Sequence, residues 1–441
     1  MRAVAGERSD TQDATTPERA GDEPGRPGVL QVWSDAGALS LGVPVGAGLT
    51  LGRGSSPALA LDDTRISREH CALTHDGASW LIRDLDSRNG TFIDGARSRG
   101  EALKIGPKTL RIGHCILLPL AHLHGDVTLA GGLVVGPRLR VVRSAIAAAA
   151  TLGRTLLVTG DTGSGKELAA RHFHASGPRA GGPFVPVNCA AIPGELAERL
   201  LFGTVRGAYS GATAAADGHV QVADGGVLFL DEIGELDLDI QAKLLRFLET
   251  GEVYAIGAPR PRRVDVRVCL ATHRDLRAMV QGRRFREDFY FRIAQPHVVL
   301  PPLNERPEEI PWHVEQAIAG LDPGLCAHAL LVEGCLLRPW PGNVRELRAA
   351  VQAAALRARS AGRTRVELDD LAADVGRALD DPQEGTIIAA DHLADRQQVL
   401  AALRAEGGNV ARSARTLGVH RNQLRRWLTQ LAIDPQALPE G

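Results

Sequence analysis

The chain of 441 residues has no CxxC pair and no Cys/His spacing of the kind that holds zinc, which excludes a metal-stapled module. Its six cysteines, Cys71, Cys115, Cys189, Cys269, Cys326 and Cys335, are scattered and read as reduced core thiols. The first residues lack the apolar core of a signal peptide, and no run approaches the ~18 apolar residues of a membrane span. A cytoplasmic location with no membrane partner is expected. Internal repeats are absent, and so is net charge: 51 basic residues face 52 acidic ones, for a formal charge of −1. The whole chain therefore has no global attraction for nucleic acid, and any such binding has to come from charge concentrated in one segment.

What is present is ordinary globular composition, 44% hydrophobic and 23% charged, over a length that suits about three domains. Residues 1–27 are rich in Pro, Gly, Thr and charge, with little to bury, and read as a disordered tail. Over 28–120, short apolar runs such as CALTH, SWLIRDL and LRIGHCILL alternate with Gly, Asp and Ser, which predicts a β-sandwich. Over 128–300, the runs TLLVTG, FVPVN, VLFLDE, VRVCLAT and HVVLPPL alternate with amphipathic segments, which predicts a parallel α/β sheet. Residues 301–378 carry a helical pattern only and read as a helical lid. An acidic connector near 379–385 leads to a last helical unit at 391–435.

TLLVTG followed by DTGSGKE is a strand, a glycine-rich loop and a helix start, the context in which GxxxxGK binds phosphate. Gly160, Asp161, Thr162, Gly163, Ser164, Gly165, Lys166 and Glu167 form the candidate nucleotide loop. The glycines let backbone N–H groups face phosphate oxygens, and Lys166 places a cation on the β and γ phosphates. Glu167 stands where most such loops have Ser or Thr for magnesium. VLFLDE supplies a carboxylate pair at a strand end, with Asp231 for Mg2+ and Glu232 to polarise the attacking water. ATP and Mg2+ are the expected cofactors.

GDTGSGKE, FVPVNCAAIP, LLFGTVRGAYSGA, ADGGVLFLDEIGEL, FREDFYFR, LPPLNERPEEI and WPGNVREL, in this order and spacing, closely resemble the AAA+ ATPase domain of bacterial sigma-54-dependent activators. The resemblance covers about 240 residues, and Glu after the loop Lys is usual in that family. It implies that Asn188 is a switch holding Glu232 in an inactive pose, where a strand-end Asn is otherwise a helix cap. Thr272 becomes the sensor, with His273 where Asn is more common. Arg286 and Arg292 become fingers reaching the neighbouring subunit's nucleotide in a hexameric ring, and Arg345 a lid residue that senses nucleotide. Gly207, Ala208, Tyr209, Ser210, Gly211 and Ala212 occupy the place of the loop that grips sigma-54 RNA polymerase, usually GAFTGA. Tyr209 and Ser210 keep an aromatic ring and a hydroxyl, while Val205 stands where a charged residue is common.

LGRG (51–54), ISREH (66–70) and DLDSRNGTFIDG (84–95) resemble a forkhead-associated (FHA) domain, a reader of phosphothreonine. A phosphate dianion wants charge-assisted donors on converging loops. The resemblance implies that Arg53 and Ser67 hold the phosphate, with Arg68 and Arg88 nearby, Asn89 on the peptide backbone and His70 bracing the loop. The threonine preference comes with the resemblance; nothing in the residues by themselves excludes phosphoserine. Asp94 replaces a frequent Asn.

At the C-terminal end, Leu400, Leu403, Val410, Ala414, Leu417, Leu424 and Leu428 have helical spacing around a turn at Gly418, a helix-turn-helix layout. Its second helix carries Arg421, Asn422, Gln423, Arg425 and Arg426, candidates for contacting double-stranded DNA. The segment resembles the Fis-type domain that ends many sigma-54 activators. The expected chain is thus multidomain: an all-β FHA sandwich, an α/β P-loop ATPase with a helical lid, and an all-α helix-turn-helix. Its expected role is that of an ATP-driven activator of sigma-54 polymerase under phosphoprotein control. The rival is a phosphopeptide- and DNA-binding repressor or adaptor whose motor does not open promoters.

Overall fold

A computed structural model describes residues 26–377, apart from 55–57, 99, 105, 124, 131 and 209–213; beyond them it describes only residues 400, 403, 404, 406, 409, 410, 412, 413 and 428. The front region is antiparallel throughout. Its strands are β1 (Gly28–Ser34), β2 (Gly37–Pro44), β3 (Leu49–Leu51), β4 (Cys71–His75), β5 (Trp80–Asp84), β6 (Thr91–Ile93), β7 (Ala96–Arg97), β8 (Glu101–Lys104), β9 (Leu110–Ile112) and β10 (Cys115–Leu120). One sheet runs β2-β1-β10-β9-β6-β7 and the other β3-β4-β5-β8. Val29, Leu51, Ile66, Leu73, Trp80, Ile82, Ile112 and Leu117 form the core between them.

The hairpin β11 (Thr128–Ala130) and β12 (Leu133–Val135) leads to helix α1 (Pro137–Leu152) and the parallel sheet. That sheet is ordered β14-β15-β18-β13-β19, from β13 (Thr155–Thr159), β14 (Phe184–Asn188), β15 (Val227–Asp231), β18 (Arg267–Thr272) and β19 (His297–Val299). Between β15 and β18 lies a two-stranded ribbon of β16 (Glu252–Val253) and β17 (Arg262–Arg263). The central strands are apolar at nearly every position because helices cover both faces of the sheet. Those helices are α1, α2 (Lys166–Ser176), α3 (Gly194–Phe202), α4 (His219–Val222), α5 (Leu238–Thr250), α6 (Leu276–Gln281) and α7 (Glu287–Ile293). Register places Asn188 beside Asp231, and Thr159 beside Thr272, so one carboxyl edge presents all four.

The lid is α8 (Ile310–Ala319), α9 (Ala329–Leu337) and α10 (Asn343–Ser360), with a short parallel pairing of 326–327 and 365–366. On α10, Leu347, Val351, Ala354, Ala355 and Ala358 recur at helical spacing and face the lid core. That core does not end at the lid. Leu30, Val32 and Trp33 of β1 and Ile116 and Leu118 of β10 belong to the same buried cluster as Val314, Ile318, Val332 and Leu336.

The central strands of the sandwich are therefore buried on both faces. Val29 and Leu117 point into the sandwich, whereas Leu30 and Ile116, one residue along, point into the lid. Gln31, with no solvent to turn to, exchanges two hydrogen bonds with Ala60: Nε2 donates to its carbonyl at 2.7 Å and its N–H donates to Oε1 at 2.8 Å. At the same seam Arg111 Nε donates to Glu333 Oε2 at 2.6 Å, with side chains only 10% and 4% exposed. The Arg111 guanidinium also lies 4.0 Å over the Phe92 ring.

Five of the six thiols are buried, and burial pushes those of Cys71, Cys115, Cys189 and Cys335 up to about 12. Cys326 corrects the expectation of a core thiol: it is exposed, because it sits on the short outer strand of the lid. Among the described residues no helix is long and apolar enough to cross a membrane.

Removing one partner of a buried ion pair strands the other charge at a cost of about 3–5 kcal/mol, whereas replacing both by apolar groups of similar volume is near neutral. Glu333→Ala is expected to lower the thermal midpoint of the full chain by several degrees, and Arg111→Met with Glu333→Leu to restore most of it. Differential scanning calorimetry checks this; an unchanged midpoint for the single variant contradicts the seam.

Candidate active site and phosphate-reading loop

Helix α2 begins directly at Lys166, so the loop before it must turn sharply out of β13. Gly160, Gly163 and Gly165 have φ values of 155°, 77° and 109°, a region that disfavours side chains. At Gly163 the lid adds a second constraint, since a Cβ there would collide with the Gly342 carbonyl oxygen. Lys166 Nζ donates to the carbonyls of Gly160 (3.0 Å) and Asp161 (3.4 Å), folding back along the loop. Glu167 is exposed and paired with Arg171 one turn on, at 2.8 Å.

β15 delivers Asp231 and Glu232. Glu232 has φ 53°, a left-handed conformation that is uncommon for a non-glycine residue and characteristic of functional sites. Its Oε2 accepts from His273 Nδ1 at 2.8 Å, from the His273 backbone N–H at 3.3 Å and from Thr272 Oγ1 at 3.4 Å. Its Oε1 lies 3.6 Å from Lys166 Nζ. Against burial, which acts to raise it, the His273 hydrogen bond and the Lys166 charge hold the Glu232 carboxyl below its usual range. Asp231 is pushed the other way by burial and by the neighbouring Glu232, with Lys166 offsetting only part. Asn188 Oδ1 accepts from Ala190 N–H at 3.0 Å, the helix-cap geometry; the bonds on Glu232 come from His273 and Thr272.

A cleft of about 510 Å³ runs between sheet and lid. Gly163–Ala169, Asn188, Asp231, Glu232, Arg345 and Arg348 line its polar end, and Leu133, Val134, Val135 and Leu139 give an apolar wall suited to a flat base. Arg286 and Arg292 are not among its lining residues. They lie at the outward side of α7, where Arg286 is paired with Asp288 at 2.7 Å and Arg292 donates to the Leu248 carbonyl at 3.0 Å.

Two residues that hold this cleft were not singled out from the sequence. Asn343, 1% exposed with φ 53°, donates from Nδ2 to the Thr162 carbonyl at 3.0 Å and accepts Leu303 N–H at 2.7 Å. Arg306 donates to the Ser164 carbonyl at 2.9 Å and to Glu309 at 3.0 Å, and Glu309 accepts the Gly136 N–H at 2.8 Å. Their signal lay in PGNVREL and NERPEEI: an Asn between turn and helix, and an Arg three residues before a Glu in an apolar setting. The Ser164 hydroxyl is buried with no partner among the described residues.

In the sandwich the phosphate-reading candidates converge on one loop cluster. Arg53 N–H donates to the Ser67 carbonyl at 2.9 Å, and Arg88 N–H to Ser67 Oγ at 3.2 Å. His70, fully buried and kept neutral by burial, receives Ser67 N–H on Nδ1 at 3.1 Å and meets the Gly90 carbonyl through Nε2 at 3.1 Å. Asn89 Nδ2 donates to the Arg65 carbonyl at 2.7 Å, so in this structure it braces the loop. Arg53, Arg68 and Arg88 are exposed and form no ion pair among the described residues. Asp94 Oδ1 caps the N–H groups of Lys108 (2.8 Å) and Thr109 (2.9 Å), which makes it a turn residue here. Tyr209, Ser210, Gly211 and Ala212 lie outside the described residues, as do Arg421, Asn422, Gln423, Arg425 and Arg426. Gly207 and Ala208 form a turn whose base is held by Val205 N–H on the Ile256 carbonyl at 3.1 Å.

A glycine-rich loop, a Lys at the start of its helix, a strand-end Asp-Glu pair and a lid arginine around one cleft define a P-loop ATPase of the AAA+ type. Residues 134–299 match the sigma-54 interaction domain, 49–116 the FHA domain and 393–431 the Fis family of bacterial regulatory proteins. The chain is 36% identical over 404 residues to the nitric oxide reductase transcription regulator NorR2 of Cupriavidus necator, covering 82% of this chain and 77% of that one. It is 40% identical over 299 residues to the Nif-specific regulatory protein of Azotobacter vinelandii, covering 66% of this chain and 57% of that one. The crystal structure of NtrX from Brucella abortus in complex with ATP overlays with a TM-score of 0.51 at 30% identity, covering 69% of this chain and 70% of that one. The chain belongs to the sigma-54-dependent transcriptional activators and carries their ATP-binding AAA+ ATPase.

A buried group left unsatisfied costs about 1–3 kcal/mol. Asn343→Ala orphans Leu303 N–H and frees the Thr162 carbonyl. Fluorescent-nucleotide titration is expected to show ATP binding weakened about tenfold, equal to ~1.4 kcal/mol; unaltered affinity contradicts the brace.

Proposed function

We propose that the chain hydrolyses ATP in a hexameric ring to remodel DNA-bound sigma-54 RNA polymerase, and that phosphothreonine read by the FHA domain controls this motor through the lid. Residues 393–431 bind the DNA, and the protein works in the cytoplasm beside the polymerase. Lys166 binds the β and γ phosphates, Glu232 polarises the attacking water, Thr272 senses the nucleotide and Arg345 closes the lid over it. Arg286 and Arg292 face outward rather than into their own cleft, which supports a role toward a neighbouring subunit's γ-phosphate. Asn188 acts as the switch on Glu232 once nucleotide rearranges the strand end. The Gly207–Ala212 loop grips sigma-54.

The donor set fits Mg2+. The carboxylates of Asp231 and Glu232 repel each other, Lys166 compensates them only in part, and Glu167 turns outward to Arg171. Held by Asp231, the ion would neutralise phosphate charge.

The observation that carries the control is the path from phosphate loop to lid. Asp63 Oδ2 accepts His114 N–H at 2.8 Å, and Arg65 and His114 share Asp35 at 3.1 Å and 2.7 Å. The His114 ring meets the His328 ring edge-on with centroids 4.8 Å apart, and His328, the cap of α9, pairs with Glu367 at 3.2 Å. Arg65, whose carbonyl Asn89 holds, also meets His114 Nδ1 directly through Nη1 at 3.0 Å and is thus two contacts from the lid. A ligand with different affinities for two lid positions shifts their populations.

Titration of the full chain with a degenerate phosphothreonine peptide pool and its unphosphorylated counterpart tests this reading. Only the phosphorylated pool should bind, Arg53→Ala should abolish the binding, and saturating pool should change ATP turnover by about fivefold or more. Binding that persists in Arg53→Ala rejects the phosphate site, and turnover indifferent to bound peptide rejects the control.

A further inference from the structure

We infer that His273 is the positioning residue that aims the Glu232 carboxylate, its Nδ1–H fixing Oε2 so that Oε1 is the oxygen offered to water. This rests on the reading of Glu232 as the group that polarises the attacking water.

Three donors converge on Oε2: His273 Nδ1 at 2.8 Å, His273 N–H at 3.3 Å and Thr272 Oγ1 at 3.4 Å. The shortest is the imidazole bond, and a bond to a carboxylate requires the proton on Nδ1. Oε1 has a different neighbour, Lys166 Nζ, at 3.6 Å. That contact is beyond hydrogen-bond range and is the one released when Lys166 turns to phosphate. The two oxygens thus divide the work: Oε2 is held by groups that stay in place, and Oε1 is left for water.

The holder is itself rigid. Thr272 is fully buried at the end of β18, and its Oγ1 accepts Arg274 N–H at 3.0 Å. Arg274 pairs with Glu235 at 2.5 Å, tying the turn to the segment that follows Glu232. Asp275 then caps α6 through the N–H groups of Arg277 (2.9 Å) and Ala278 (3.1 Å). His273 is therefore presented on a turn fixed on both sides, which is what holding a reacting group to a fraction of an ångström demands. Asn188, across the sheet edge, has its amide oxygen engaged by Ala190 N–H and adds no bond to Glu232 in this state.

Side-chain geometry makes the claim testable. The amide nitrogen of Asn lies at nearly the same distance from the backbone as Nδ1 of His, whereas that of Gln reaches the position of Nε2. His273→Asn can keep the bond to Oε2, and His273→Gln and His273→Ala cannot. Steady-state ATP hydrolysis by the full chain should show kcat lowered about tenfold to a hundredfold in His273→Ala and His273→Gln. KM should change by less than about twofold, because the ground-state contacts to ATP are untouched. His273→Asn should recover most of the kcat. An increase in kcat for His273→Ala makes the bond a restraint and overturns the inference, as does a His273→Asn variant no better than alanine, or a loss carried by KM. Glu232→Gln is measured alongside: if it retains turnover, the reading of Glu232 fails, whatever His273 does.

Discussion

Arg306 and Glu309 form an ion pair that is almost wholly removed from solvent, and three separate pieces of the motor hang on it. The guanidinium holds the Ser164 carbonyl of the P-loop, while the carboxylate holds Gly136 N–H at the entrance of α1; both residues belong to the approach to the lid. A buried pair of charges offsets its desolvation only through good geometry and further hydrogen bonds; here both terminal guanidinium nitrogens of Arg306 and both oxygens of Glu309 are engaged, while Arg306 Nε has no partner among the described residues. The P-loop, the first helix and the lid are consequently locked in one geometry, and Asn343 repeats the link from the far side of the loop. A nucleotide that moves the loop has to move the lid.

The lid, in turn, is not a free appendage. Its core is completed by alternate residues of two sandwich strands, and Arg111 with Glu333 closes the seam. The FHA sandwich and the lid thereby form one packed body that carries the exposed loop arginines Arg53, Arg68 and Arg88 as well as the cleft-lining Arg345 and Arg348. Packed interiors transmit displacement because they hold few voids to absorb it. Under the proposed control, this packing would give phosphopeptide recognition a mechanical route to the ATP cleft without any contact between the two ligands.

Much of this was legible in the residues. The strand, loop and helix around Lys166, the carboxylates of VLFLDE and the cluster of Arg53, Ser67 and Arg88 have local signatures, since each depends on neighbours close in sequence. What escaped was long-range. Whether the apolar run of β10 faces solvent or a second layer on its outer side depends on the lid, more than two hundred residues away, although the unbroken CILL hinted at burial on both faces. Arg306 and Asn343 were not singled out, because their partners lie on the P-loop, far away in sequence. His273 stood out as an unusual residue, but its bond to Glu232 required the two strand ends to be placed side by side. Conversely, Asn89 had a peptide-binding role by resemblance and has a loop-bracing bond here.

The proposed motor couples ATP hydrolysis to the opening of promoters, and the most direct test is open-complex formation by sigma-54 RNA polymerase with purified full chain and ATP, read by strand-specific permanganate reactivity. Wild-type protein should open the promoter only with hydrolysable ATP, and Glu232→Gln and Ser210→Ala should fail to do so. ATP hydrolysis by the wild-type chain without any open complex would contradict the account and leave a regulator that binds phosphopeptide and DNA.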